Sequence, residues 1–397
     1  MIATHGFYRE RVESAGIEFR AVRPDLLDYG DVPTVMRRAM SSRDGSDYVV
    51  RQLVLPFVRA SYHDLLAASA GADALIGHML TFSAPLAAET IGIPYIHSVL
   101  QPFAMFSSHD PPLYSGHPIA AWSRRLPAPV WKALWSLARA SSRSWFRAVS
   151  DLRSEIGLGP TRRHPLLDAG STTLNLALFS PVLAPPQPDW PVPTVATGFP
   201  IFDRDQGGRG MPEALSRFLD LGPEPVVFTL GSSGVWDAAA FYDHAVTVST
   251  SLGLRAVLLT GPVPRNVPRS LPPSVVAVEY APHSELFPRA AAIVHQGGIG
   301  TTGQALRAGR PMLIMPFAHD QPDNAARCVR LGIARVIPRR SLDARRLAAS
   351  LTRLLADPIV RENARRVGGQ VRAESGAETA AASIEAALSS HSTHEES

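Results

Sequence analysis

A chain of 397 residues is too long for one ordinary domain and fits two, and 45% apolar side chains are enough to fill two cores. Charged residues make up 19%, which excludes a disordered polyelectrolyte, and a formal charge of +4 with an isoelectric point near 9.5 favours anionic ligands without the dense basic runs of a nucleic-acid binder. The single cysteine, Cys328, excludes an intramolecular disulfide and reads as a buried thiol.

No run of 18 apolar residues and no leader pattern occurs, so a cytoplasmic protein is expected. The 13 histidines are scattered rather than set at ligand spacing, so no metal is expected. From the start, MIATHGFYRERVESAGIEFRAVRPD reads as a short strand ending near His5, a helix from Phe7 to Ala15 stopped by Gly16, and a strand through Phe19 and Val22. Helical spacing runs from Val49 to Ala70. Ala72 to Gly77 then predicts a strand ending at His78, followed by a helix through Glu89 and a buried strand in IGIPYIHSV. Gln101 to Pro118, rich in Pro, Ser and His, reads as a loop beside a cleft. Between Trp131 and Val149 a helical projection sets Trp131, Leu134, Trp135, Ala138, Trp145 and Val149 on one stripe, with Lys132, Arg139, Arg143 and Arg147 on the next. That pattern suits packing into the domain, and it also suits peripheral contact with a membrane surface.

The composition shifts from Pro181 to Gly210, where prolines and glycines surround one short apolar strand. Residues 1–200 are accordingly expected to form one domain, 201–215 a linker, and 216–397 a second domain with the C-terminal helices. The second domain opens with a strand from Pro225 to Leu230 and a turn, GSSG, followed by a helix near Ala238 to Leu252 and strands Arg255 to Leu259 and Val275 to Tyr280. Helices are expected over Leu342 to Ala356 and roughly Ile359 to Leu388, and the polar tail SSHSTHEES is expected to lack order.

The most informative stretch is AAAIVHQGGIGTTGQALRAGRPMLIMPFAHDQPDNAARCVRLGIARVI, from Ala290 to Ile337. An apolar run ends at His295 and gives way to Gly297, Gly298 and Gly300; Thr301 and Thr302 open a helix that closes at Gly309. A second strand, Met312 to Phe317, leads to His319, Asp320 and Gln321, with Pro322 in the first turn of the next helix. The alternation is βαβα, which predicts a parallel α/β sheet with ligands beyond the carboxyl ends of its strands. Free amides at a helix start suit a phosphate, to which His295 and Thr301 can add donors, while Asp320 and Gln321 can accept from and donate to hydroxyl groups. A phosphate beside a polyol describes a nucleotide-sugar.

This segment closely resembles the donor signature of family 1 glycosyltransferases of the GT-B fold, approximately HxGGxGTxxEALxxGxPxxxxPxxxDQxxNAxxxxxxGxA in bacterial members. The resemblance implies two Rossmann-like parallel-sheet domains facing across a cleft. It assigns His295, Gly298, Gly300 and Thr301 to the diphosphate and Asp320 with Gln321 to the sugar, with Gly297 among the donor-binding residues. Gln304 stands where the family usually places a ribose-binding carboxylate. Gly231 and Ser232 match a Gly-Ser element near the donor, and Tyr280, Pro282 and His283 fall where the family holds the base. It also implies that the family's first strand, first loop and first helix, about thirty residues in such a unit, have no counterpart here. The catalytic base normally sits in that loop, so the catalytic residue is unknown; His5 and His78 are the candidate stand-ins, Gly77 and His78 occupying the place of a supporting aspartate.

The expected function is inverting transfer of a hexose from a UDP- or TDP-sugar to a hydroxyl of a lipophilic acceptor, with no cofactor and no nucleic-acid partner. Two other readings stand beside it: a catalytically deficient nucleotide-sugar-binding auxiliary protein, and a nucleotide-sugar epimerase.

Overall fold

Short runs such as VVFT, AVLL and AIVH have no polar side to offer water, and the structure buries them on both faces, as a parallel sheet covered by helices requires. The computed structural model describes residues 1–114, 120–202 and 210–395. Residues 115–118 of the expected cleft loop, 203–209 of the expected linker and the last two residues of the tail lie outside them.

The strands are β1 (Ile2–Thr4), β2 (Phe19–Ala21), β3 (Leu75–His78), β4 (Tyr95–Val99), β5 (Leu174–Ala177), β6 (Thr194–Ala196), β7 (Val226–Thr229), β8 (Ala256–Leu259), β9 (Val275–Val278), β10 (Ala292–His295), β11 (Met312–Ile314) and β12 (Ala334–Val336). The helices that matter below are α1 (Arg9–Ser14), α2 (Val58–Ala68), α3 (Ala84–Ile91), α4 (Ala128–Ser142), α5 (Arg147–Glu155), α6 (Phe241–Ser251), α7 (Ile299–Ala308), α8 (Gln321–Arg330), α9 (Ala344–Leu355), α10 (Pro358–Arg372) and α11 (Gly376–Glu395).

Every strand pairing is parallel. The C-terminal domain holds a six-stranded sheet in the order β12-β11-β10-β7-β8-β9. Alternate residues of its strands serve two cores. Phe228, Leu258 and Val294 pack with Phe241 of α6 and Leu347 of α9, while Val227, Val257 and Ile293 pack with Ala305 of α7 and Val367 of α10. The N-terminal domain holds a four-stranded sheet, β3-β4-β5-β6, and a separate pair, β1-β2. The ends of β1 and β3 line one cavity of about 370 Å³, yet no pairing joins them among the described residues.

Four expectations need correction. The stretch from Trp131 to Val149 is not one helix, because the 3-10 turn Arg143–Phe146 separates α4 from α5. Trp131, Trp135 and Val149 are buried; Trp145, within the tighter turn, is 42% exposed, and Leu134, inside α4, lies at the edge of the buried stripe at 40%. GSSG is a one-turn helix, Gly231–Gly234, rather than a plain turn. The helix expected over Ile359 to Leu388 is two helices, and the second, α11, runs on through Glu395 instead of ending before the polar tail. Although α11 was grouped with the C-terminal domain, Ala380, Ile384 and Ala387 lie against Ile96, Leu174 and Leu176 of the N-terminal sheet. Gly376 makes that crossing, since a Cβ there would stand 2.5 Å from the Phe199 carbonyl carbon. Among the described residues no helix is long and apolar enough to cross a membrane.

A cluster of ions joins the two domains. Arg327 of α8 is 1% exposed, its Nε donating to Asp323 at 2.7 Å and its Nη1 to Asp110 of the N-terminal domain. Asp110 also accepts from Arg124 at 2.9 Å and Arg330 at 3.0 Å, and Asp323 accepts from the Leu113 amide at 3.0 Å. Burial alone would push Asp110 up, but Arg330 and Arg327 hold it down to about 2. Replacing Arg327 by Met should remove about 3–5 kcal/mol of stability, because the fully buried Asp323 loses its closest cation, while Asp110 keeps Arg124 and Arg330. Replacing Arg330, whose side chain is 50% exposed, should cost under about 1 kcal/mol. Urea unfolding measures both; equal losses would show that burial does not govern this cluster.

Candidate functional site

In the six-stranded sheet the chain leaves β7 toward β8 and β9 on one side, then crosses to β10, β11 and β12 on the other. The loops after β7 and β10 therefore diverge, and a crevice opens between them at the carboxyl ends of the strands. His295, Gly231 and the loop after β11 all meet there.

His295 is fully buried, and its Nδ1 accepts from the Gly297 amide at 3.1 Å. That bond places the ring proton on Nε2, which is buried and has no partner. Burial, and then the nearby His283, push His295 down to about 3, so it is a neutral donor at physiological pH. Gly297 has φ +89, and a Cβ there would stand 2.9 Å from Ile314 Cγ2 and 3.1 Å from the Gln321 carbonyl oxygen. Gly298 is the extended residue before α7, with φ −60 and ψ 143, and no side chain caps the helix. The amides of Ile299, Gly300 and Thr301 thus lack intrahelical acceptors. Gly300 is exposed, with open space where a Cβ would lie. Gln296 Oε1, Thr302 Oγ1 and Asn324 Oδ1 are also buried without partners, so unsatisfied polar atoms gather around this helix start.

Gln296 was not singled out by the sequence reading, because the motif leaves its position open. Its side chain lies across both glycine loops, with Nε2 2.3 Å from where a Gly231 Cβ would sit and 2.9 Å from that of Gly298. The available signal was a polar residue directly after a buried strand. Ser232, beside Gly231, is exposed.

On the neighbouring strand, Gln321 Oε1 accepts from the amides of Phe317 at 2.8 Å and Ala318 at 3.3 Å, which leaves Nε2 as the atom it can offer a ligand. Asn324, a second residue the sequence reading passed over, donates to the Gly297 carbonyl at 2.9 Å and to Asp320 Oδ2 at 2.6 Å, tying this loop to the glycine loop. Burial pushes Asp320 up to about 6, with the hydrogen bond from Asn324 opposing it. His319 has φ 56 and shares a 2.9 Å hydrogen bond with Ser46 of the N-terminal domain.

Gln304 and His283 face one cavity of about 390 Å³, which Arg307 and Arg372 also line. The His283 ring stacks on Phe287 with centroids 4.3 Å apart and Tyr280 lies 6.1 Å away, while Pro282 is buried as the residue that starts this turn. In the N-terminal domain His5 and His78 share the 370 Å³ cavity between β1 and β3. His5 Nδ1 and His78 Nε2 are buried without partners, and burial lowers both pKa values. His78 Nδ1 accepts from the Leu80 amide at 3.4 Å, so its proton lies on Nε2.

Residues 256–387 match the family model of the erythromycin biosynthesis protein CIII-like C-terminal domain. The O-mycaminosyltylonolide 6-deoxyallosyltransferase of Streptomyces fradiae is 32% identical over 393 residues, spanning 95% of this chain and 88% of that protein. This chain belongs to the family 1 glycosyltransferases of the GT-B fold. The solved glycosyltransferase of kitacinnamycin superposes with a TM-score of 0.72 at 23% identity, covering 97% of this chain and 90% of its own. VinC, solved in complex with dTDP, gives 0.65 at 22% identity over 97% and 91%.

The two glycines of the loop should respond oppositely to alanine. Gly297→Ala meets a positive φ and two close neighbours and should destabilise by about 1–3 kcal/mol. Gly300→Ala, in open space within the first turn of α7, should be neutral or stabilise by up to about 1 kcal/mol. Thermal unfolding of the two variants checks this, and a destabilised Gly300→Ala protein would contradict it.

Proposed function

We propose that this glycosyltransferase moves a hexose from a UDP- or TDP-sugar to a hydroxyl group of a lipophilic small molecule, inverting the anomeric carbon. The observation that carries the reading is the unpartnered Nε2–H of His295 beside the Gly300 and Thr301 amides in the first turn of α7, at the point where the strand order reverses. Together these are hydrogen-bond donors and a positive dipole end, aimed at the space a diphosphate would fill. They meet the charge that grows on the leaving diphosphate, and the proposal needs no metal for that step. Asp320 and Gln321, held by Asn324 and by the loop amides, stand where sugar hydroxyls would reach. Gln304 and His283 border the space for ribose and base. The acceptor approaches from the N-terminal domain, where His5, whose Nδ1 has no partner, is the first candidate to take its proton. The dTDP complex of VinC supports a thymidine diphosphate sugar, while nothing in the base-side residues discriminates against uracil.

The break between β1 and β3 supports a second reading, binding of a nucleotide-sugar without transfer. Incubating the full chain with TDP- and UDP-hexoses and a panel of hydroxylated aromatic and macrocyclic acceptors separates the two. Glycoside formation that falls by about a hundredfold or more in His5→Ala is the expected result. Nucleotide-sugar binding with no product from any acceptor would favour the second reading.

The roles of His295 and Asp320 predict a split in affinity. His295→Ala should weaken free TDP or UDP by about tenfold to a hundredfold, as expected for a lost hydrogen bond to a charged group. Asp320→Ala should leave free nucleotide nearly unchanged and weaken only the nucleotide-sugar. Because Asp320 titrates near 6, the advantage of nucleotide-sugar over nucleotide should grow as pH rises from 5 to 7 and stay flat in Asp320→Asn. Calorimetry across that range reads all three; equal losses of free nucleotide in the two alanine variants would reverse the assignment.

A further inference from the structure

A cavity of about 550 Å³ lies in the N-terminal domain between the β3-β4 sheet and helices α3, α4 and α5, away from the start of α7. One wall is apolar: Phe82, Leu86, Phe146 and Val149 present it and are themselves 1–7% exposed. The other wall carries five guanidinium groups, from Arg139, Arg143, Arg153, Arg162 and Arg163, against two carboxylates, Glu89 and Asp168. Both carboxylates are already engaged. Arg153 takes Glu89 in two hydrogen bonds at 2.6 and 2.7 Å, and Arg139 takes Asp168 at 2.6 Å. Among the described residues Arg143 and Arg163 reach only backbone carbonyls, of Thr161 in one case and of Asp168 and Gly170 in the other, and Arg162 makes no ion pair. Three positive charges therefore face the cavity uncompensated.

His97, on the cavity wall, is pushed down to about 4 by burial first and then by His78 and Arg163, and so is neutral at physiological pH and adds no charge to the wall. The three guanidinium groups are exposed at the rim, where water meets their donors, so a neutral lipophilic occupant that covers them would leave those donors unpaired. An occupant with an apolar body and an oxyanion at one end satisfies both walls, because planar guanidinium forks match a carboxylate, phosphate or sulfate in two parallel hydrogen bonds.

We propose that this cavity binds an amphiphilic oxyanion, and that the hydroxylated acceptor carries a carboxylate, phosphate or sulfate which the Arg143, Arg162 and Arg163 side chains hold while its apolar body lies on Phe82, Leu86 and Phe146. The second half rests on the reading of the N-terminal domain as the acceptor side. The first half concerns binding alone.

Fluorescence titration of the full chain with 1-pyrenebutyrate and with its neutral partner 1-pyrenebutanol tests it. The carboxylate should bind on the order of tenfold more tightly at low salt, with the advantage shrinking as salt rises. Arg143→Met with Arg162→Met, which keeps the apolar stems, should abolish that preference and leave the alcohol unchanged. Ala140→Trp, at an exposed lining position, should weaken both probes by filling the mouth. Saturating TDP should not displace the carboxylate. Equal affinity for acid and alcohol in the native chain, or displacement by TDP, would overturn the oxyanion site. The acceptor half is read separately, from turnover of hydroxylated acceptors as free acids and as methyl esters. Preference for the acid supports it; glycosylation that favours the esters overturns it while leaving the proposed transfer intact.

Discussion

The buried guanidinium of Arg327 is the constraint on which the cleft depends. A charge that is 1% exposed is tolerable only with carboxylates in contact, and its two partners come from different places: Asp323 from its own helix and Asp110 from the opposite domain. Asp323 is itself fully buried and holds the Leu113 amide, so the cluster locks the loop before α4 against the helix that carries Gln321 and Asn324. Asp320, at the start of that helix, is thereby set relative to both domains. The His319 to Ser46 contact, one residue earlier, adds a second tie across the same boundary. Domain docking and the shape of the loop after β11 are one problem in this molecule, solved by the same residues.

Within the C-terminal domain the chemistry follows from backbone geometry. The left-handed Gly297 turns the chain sharply after β10, its amide engages His295 Nδ1, and that bond directs the ring's proton to Nε2. Burial keeps the ring neutral, so it can donate a hydrogen bond without bringing a charge that the apolar strand ends could not stabilise. Asn324 then connects the Gly297 carbonyl to Asp320. Hydrogen bonds thus link His295, Gly297, Asn324 and Asp320 across the crevice.

Much of this was legible in the sequence because it rests on local rules. The glycines after His295, the stop at Gly309 with φ +68 and Pro322 in the first turn of α8 each place an element boundary with little help from the rest of the fold. What escaped was set by packing over distance. The break at Arg143–Phe146 depends on Phe146 turning in against Phe82 and His164, and nothing in the periodicity of α4 announces it. The return of α11 to the N-terminal sheet needs Gly376 to pass over Phe199, a contact between residues far apart in the chain. Gln296 and Asn324 were passed over because their roles are to brace loops, and a motif describes which residues recur near a ligand rather than which ones hold the loops in place.

The proposed transfer requires the diphosphate of the sugar nucleotide to lie at the start of α7. In a crystal structure of the full chain with TDP, phosphate oxygens are expected within hydrogen-bond distance of His295 Nε2 and of the Gly300 or Thr301 amides. A diphosphate seated among Arg143, Arg162 and Arg163, with the α7 amides bonded only to water, would contradict it.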